Sequence, residues 1–223
     1  MRRFLLPPLV VLVPVCLLLG GAVGFAASLP LTPKRLTVFT SASSIPISTC
    51  TLSASAADTY ADGAALSQGS NFGTATQLHV RSDSLGNKRS FVRFDLSSCS
   101  IPSGARIETA TVSLHLSTAP GENRTYQIRR VSASWGETTL TWSNQPGVAG
   151  SATDSASTGT TNGVTLAWAV VADVQAFVNG TANNGWRVAD AAEGALIGVE
   201  GRLSSREHAT ASQRPSLVIT YYP

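Results

Sequence analysis

Between Ala110 and Ser117 apolar and polar residues alternate without a break: Ala110, Val112, Leu114 and Leu116 against Thr111, Ser113, His115 and Ser117. A period of two is the period of a strand, and it sends one set of side chains into a core and the other into water. The pattern recurs over Gln77–Arg81, where Leu78 and Val80 alternate with Gln77, His79 and Arg81. It recurs again over Ser90–Leu96, with Val92, Phe94 and Leu96 on one face and Phe91, Arg93 and Asp95 on the other. Leu85-Gly86-Asn87-Lys88 between these two runs is a turn signal, so Gln77–Asp95 is expected to form a hairpin. Tyr126–Val131, Leu140–Ser143, Val164–Val170, Gly185–Val188, Leu196–Val199 and Ser216–Tyr222 read as further strands. One segment departs: Val170, Val171, Val174, Phe177 and Val178 fall at helical spacing and Asn179-Gly180 stops them, so a short helix is expected over Ala172–Val178. Many short strands and one small helix predict an all-β chain, a jelly-roll β-sandwich.

A leader precedes this domain. Met1-Arg2-Arg3 is followed by an uncharged apolar run from Phe4 to Ala27. Basic residues before an apolar run mark an export signal. The run is also long enough to span a bilayer, so two readings stand: a signal peptide cut near Gly24, or an uncleaved anchor. Residues 28–49 are rich in Ser, Thr and Pro and read as a linker or arm, with Leu36–Phe39 as a short strand within it. Residues 50–223 are expected to form the sandwich. Either reading of residues 1–27 exports that domain, as a secreted or cell-surface protein, and gives it contact with a membrane only through an uncleaved leader.

Export makes the cysteines informative. Cys16 lies in the leader, and Cys50 and Cys99 remain as an even pair in an oxidising space, so a disulfide is expected. There is no Cys-x-x-Cys, and His79, His115 and His208 are scattered singly, which argues against a zinc site.

Charge narrows the partners. The chain carries 16 Lys+Arg and 13 Asp+Glu, but Arg2, Arg3, Lys34 and Arg35 precede the domain, leaving it 12 against 13. A domain with a net charge of −1 lacks the basic footprint of a nucleic-acid binder. Catalytic signatures are missing too. The sequence has no Gly-x-Ser-x-Gly elbow and no His-Glu-x-x-His, and the reading is non-enzymatic.

Three blocks stand out as strings. Ala57-Asp58-Thr59-Tyr60-Ala61-Asp62 leads to Asn71-Phe72-Gly73 and Leu78-His79-Val80-Arg81. Asn87-Lys88-Arg89-Ser90-Phe91-Val92-Arg93-Phe94-Asp95-Leu96 leads to Ile101-Pro102-Ser103-Gly104-Ala105. Trp135-Gly136-Glu137 and Thr141-Trp142-Ser143-Asn144-Gln145-Pro146 lead to Gly185-Trp186, Ser205-Arg206-Glu207 and a last strand from Pro215 to Tyr221. In this order they resemble the DNRLRE-domain family, also described as carbohydrate-binding module family 96 and as disaggregatase-related. The resemblance covers roughly Cys50 to Tyr222. It implies a galactose-binding-like jelly roll on an extracellular protein, with a polysaccharide or cell-envelope glycan as partner. The family's name-giving positions fall on Asn87-Lys88-Arg89, where Lys88 is an insertion, and on Ser205-Arg206-Glu207.

Candidate ligand contacts follow. Arg81, Lys88, Arg89 and Arg93 cluster on the expected hairpin, and guanidinium groups suit bidentate contact with sugar carboxylates and hydroxyls. The alternative for them is a solvated turn with one structural ion pair. Trp135, Trp142 and Trp186 are candidate sugar-stacking rings or core residues, and Trp168 is read as core. Arg206 is either a ligand contact or, with Glu207, an ion pair at the entry to the last strand. Asp58 and Asp62 flank Tyr60 and are either turn caps or ligands of a structural calcium ion; no other cofactor is expected. Two functions are compatible with this pattern: a non-catalytic carbohydrate-binding module, or an adhesive envelope protein whose sandwich mediates surface assembly. The sequence leaves oligomeric state open.

Overall fold

The computed structural model describes residues 46–223. The leader, Cys16 and the strand expected at Leu36–Phe39 lie outside the described residues. Among those described, no helix is long and apolar enough to cross a membrane.

The described residues form eleven strands: β1 (Ser48–Leu52), β2 (Ala57–Asp62), β3 (Gln77–Ser82), β4 (Lys88–Arg93), β5 (Arg106–Thr118), β6 (Thr125–Arg130), β7 (Asp154–Ser157), β8 (Val164–Ala169), β9 (Trp186–Asp190), β10 (Val199–Ser204) and β11 (Ser216–Tyr222). One helix, α1 (Val171–Val178), joins β8 to β9. All strand pairs are antiparallel in a single curled sheet ordered β1-β11-β5-β10-β3-β4-β9-β6-β7, with β8 added to β5 and β2 to β4. The curl makes it a β-sandwich. Leu78, Val92, Val112, Leu114, Ile128, Trp168, Val188, Leu203 and Ile219 come from strands all around it and share one buried core.

Strand β5 shows how alternation becomes structure. Ala110, Val112, Leu114 and Leu116 are buried as the period requires, and the 13-residue length lets β5 pair with β8, β10 and β11. Ile107 is buried too, on the opposite parity. A register shift between Thr220 and Tyr221 of β11 opposite this point inserts an extra residue, and such a bulge turns later side chains to the other face.

The expected hairpin is a corner. β3 and β4 pair at one position, Arg81 with Lys88, and then part. β3 goes on to pair with β10, and β4 lies between β2 and β9. The run Ser90–Leu96 divides as well: β4 ends at Arg93, and Leu96 opens a 3₁₀ turn whose first N–H groups include one, from Ser97, bonded to the Asp95 carboxylate at 2.9 Å.

Two expected strands are not strands. Leu140–Ser143 lies in turns, held by the Leu140 N–H to Gly136 carbonyl bond at 2.9 Å. Leu140 is buried there because its loop lies over β2 and β4, where it meets Ala57, Ala61, Phe91, Val131 and Trp135 in a second, smaller core. At Leu196–Val199 the strand begins only at Val199, and Leu196 and Ile197 are almost fully exposed. Conversely, β2 and β7 form without a marked apolar run. β7 (Asp-Ser-Ala-Ser) exists because β6 offers it backbone partners.

Cys50 and Cys99 form the expected disulfide, with their Cα atoms 5.5 Å apart. It ties the edge strand β1 to the 3₁₀ turn after β4.

Candidate functional site

Side chains of β4, β9 and β6 that point away from the main core make a polar face. Phe91 of β4 stands opposite Arg187 of β9, and Arg187 stands opposite Arg129 of β6. Arg89 lies one outward position along β4. Two arginines directly opposite across a strand pair repel one another, so nothing in sheet stability favours Arg129 beside Arg187. Arg129 donates to the Gln127 side chain at 2.9 Å. Arg187 is half-buried, and its Nε has no hydrogen-bond partner. Burial pushes its guanidinium down to about 10, and the Arg89 charge adds to the effect. Gln127, Arg129, Arg187, Ala189 and Glu193 line a shallow recess of about 200 Å³.

The recess has a built rim. Glu193 takes a forked pair from Arg89 at 2.6 and 2.7 Å, and Gln145 accepts from the same guanidinium at 3.1 Å. The Arg89 plane lies 4.4 Å from the ring centre of Trp142, a cation–π stack. Gly63 permits this: a Cβ there would come 2.9 Å from the Trp142 ring, so a larger residue would displace the stack. Farther along β4, Arg93 lies over Trp135 at 5.2 Å and donates to the Trp135 carbonyl. With Ala56, Phe94, Asp95 and Asn183 it lines a second open recess of about 360 Å³.

Other residues singled out in the sequence lie elsewhere. Trp135 is 8% exposed, packs edge-on against Phe91 and donates its N–H to the Asn184 carbonyl at 2.8 Å. Its polar handle is thus used inside the protein, although the residue borders a recess with Thr139 and Asn144. Trp186 is in the main core. Arg81 pairs with Asp83. Lys88 has 14% of its side chain exposed and reaches Glu200 at 3.1 Å and Asp62 at 3.7 Å, near the Tyr60 ring. Arg206 bonds the Ala56 carbonyl at 2.6 Å and Glu137 at 3.2 Å, and its Nε lies 3.5 Å from Glu207, the ion-pair partner considered above. Asp58 and Asp62 cannot hold one ion: four residues along a strand separate them by about 13 Å. Asp62 instead caps the Ala64 N–H. Among the described residues no three His, Cys, Asp or Glu side chains converge as a metal cluster.

Two carboxylates have unusual environments. Burial pushes Asp58 up to about 7, with the Glu207 and Glu137 charges adding to the rise and bonds from Ser55 and Arg206 opposing it. Burial also acts to raise Glu200, but the His79 hydrogen bond at 2.7 Å and the Lys88 charge override it and hold Glu200 at about 2. A folded-state value below the ordinary 4.5 means stability present above pH 4.5 and lost as pH falls towards 2. The loss should be on the order of 2–3 kcal/mol, allowing for partial exposure. Glu200→Gln should flatten this acid limb, as read by urea unfolding at stepped pH; an unchanged limb would place its origin elsewhere.

Arg129 and Arg187 did not stand out in the sequence. Their parity within Tyr126–Val131 and Gly185–Val188 was visible, but their meeting depends on β6 pairing with β9.

A shallow, open sheet face with forked cations, amide groups and an indole at its rim suits an extended hydroxyl-rich chain better than a compact ligand that needs enclosure. These are the features of a glycan-recognition module. The sequence profile of carbohydrate-binding module family 96 matches residues 49–221, and the chain belongs to that family. No curated protein matches the sequence.

Proposed function

We propose that the chain is an exported, non-catalytic module that holds an extracellular polysaccharide carrying carboxylate groups along the outward face of β4, β9 and β6. The observation that carries this reading is the opposed pair Arg129 and Arg187, with Arg187 Nε unpartnered. A carboxylated chain lying across the face would separate the two charges and take forked hydrogen bonds from them. Arg89, paired with Glu193 at the rim, and Trp142 stacked on it border the recess at one end.

Affinity electrophoresis in gels containing a polyuronate, a sulfated polysaccharide or a neutral glucan tests this. The polyuronate should retard the chain, less so as salt rises. Arg187→Ala and Arg129→Ala should each weaken retardation about tenfold or more, since a charge-assisted bond is worth roughly 1.5–3 kcal/mol. Retardation that is absent, or that both variants keep at the strength of the unsubstituted chain, refutes the reading. Release of reducing ends or unsaturated products would refute its non-catalytic part.

A second reading, surface assembly, draws on a different observation. Leu66, Leu85, Leu196 and Ile197 are exposed on neighbouring loops. Asn87 joins those loops at their base, accepting from the N–H groups of Gly63, Asp83 and Gly194. Light scattering with and without residues 28–49 separates the readings: concentration-dependent growth supports assembly, and a monomer at all concentrations removes it.

A further inference from the structure

Two of the residues that line the recess with Arg129 and Arg187 are acids, Asp190 and Glu193. Each is answered by an arginine from outside the opposed pair. Arg124 forks onto Asp190 at 2.8 and 2.9 Å and also donates to the Ala192 carbonyl at 2.9 Å. Arg89 forks onto Glu193, and its remaining Nη donates to Gln145 at 3.1 Å. A forked pair uses the directed bonds of both partners. Among the described residues neither Arg129 nor Arg187 is paired with a carboxylate. The site is therefore built around four guanidiniums, of which Arg89 and Arg124 are spent on its own acids and the opposed two are left for a ligand.

Opposed residues of neighbouring antiparallel strands lie about 5 Å apart, so Arg129 and Arg187 can close on the same carboxylate. A chain charged on every sugar brings further carboxylates up to the acids of the recess, where like charges repel and no free guanidinium receives them. A chain whose charged sugar is flanked by uncharged ones brings hydroxyls there instead, and a hydroxyl can donate to a carboxylate. We propose that Glu193 is a specificity-determining residue: by holding Arg89 it limits the face to one carboxylate at a time, and the face selects a polysaccharide in which uronic acids alternate with uncharged sugars. This inference rests on the glycan reading above and names its ligand class. The clasp acts in both directions, since Arg89 also keeps the Glu193 carboxylate from turning onto Arg187.

The test is affinity electrophoresis of the full chain, exported so that the disulfide forms. One gel carries hyaluronan, with a carboxylate on every second sugar, and the other carries polygalacturonate, with a carboxylate on every sugar, at equal uronate concentration. The unsubstituted chain should be retarded more by hyaluronan. Glu193→Gln frees Arg89, and its affinity for polygalacturonate should rise about tenfold, the worth of one charge-assisted bond, with a smaller gain for hyaluronan. Glu108→Gln removes the same charge at a side chain of β5 that is 41% exposed, and should leave the ratio of the two retardations unchanged. A change shared by both variants would reflect net charge alone and would overturn the role of Glu193. Stronger retardation of the unsubstituted chain by polygalacturonate overturns the inference even if Glu193→Gln does not fold, and leaves the glycan reading standing. Retardation by neither polysaccharide overturns both.

Discussion

Trp186→Ala is expected to lower the unfolding free energy by about 3–5 kcal/mol, the range for removing a large aromatic ring from a packed core. The ring is fully buried, 5.4 Å from Phe177 and 6.5 Å from Phe94 between ring centres. Its N–H also donates to Asp173 Oδ2 at 2.8 Å. Asp173 lies in the first turn of α1, where a carboxylate is favoured by the helix dipole, and takes a second bond from the Thr153 hydroxyl at 2.7 Å. Alanine would therefore leave a cavity and remove one of the carboxylate's bonds, loosening the seat of α1. Trp186→Phe fills most of the space and should cost visibly less. Chemical denaturation of both variants measures the difference. Trp142→Ala provides the contrast: it should change stability little and weaken glycan binding, because Trp142 supports Arg89 at the surface. A cost below 1 kcal/mol for Trp186→Ala would mean that the ring is not packed as described.

Removing the disulfide by Cys99→Ser is expected to cost about 4 kcal/mol, the chain-entropy value for a loop of this size. The bonded residues are separated by 49 positions. A loss of that size corresponds to a fall in Tm of roughly 10 °C for a domain of this length. The loss should also be local. Among the described strands β1 lies at the edge and pairs with β11 alone, so its amide protons should exchange faster than those of β5 once the bridge is gone. Calorimetry and hydrogen exchange test the two parts. Uniform loss of protection across β1, β5 and β11 would mean that the bridge restrains the unfolded chain without anchoring β1.

Much of the fold was legible in alternation alone. Ala110–Leu116, Leu78–Val80 and Val164–Val170 announce their buried faces because a side chain's parity along a strand is a local property. The helix at Val171–Val178 was legible for the same reason at a different period. Leu140–Ser143 was misread because two apolar residues separated by one polar residue fit a strand and a turn equally well, and only the loop's position over β2 and β4 made Leu140 core. The site was less legible than the fold. Within the visible cluster Lys88 is held by Glu200 and Asp62 and Arg89 by Glu193, partners that lie far off in the chain.

The amino-acid order by itself determined that residues beyond Cys50 build strands with one buried face, that Cys50 and Cys99 can be joined, and that the chain matches a carbohydrate-binding family. Tertiary structure alone decided which charges are free. An ion pair forms between residues 104 positions apart, such as Arg89 and Glu193, only when separate strands and loops are brought together. The same sheet pairing sets Arg129 against Arg187. Hydrophobic periodicity is written along the chain, but the compensation of a charge depends on distance in space.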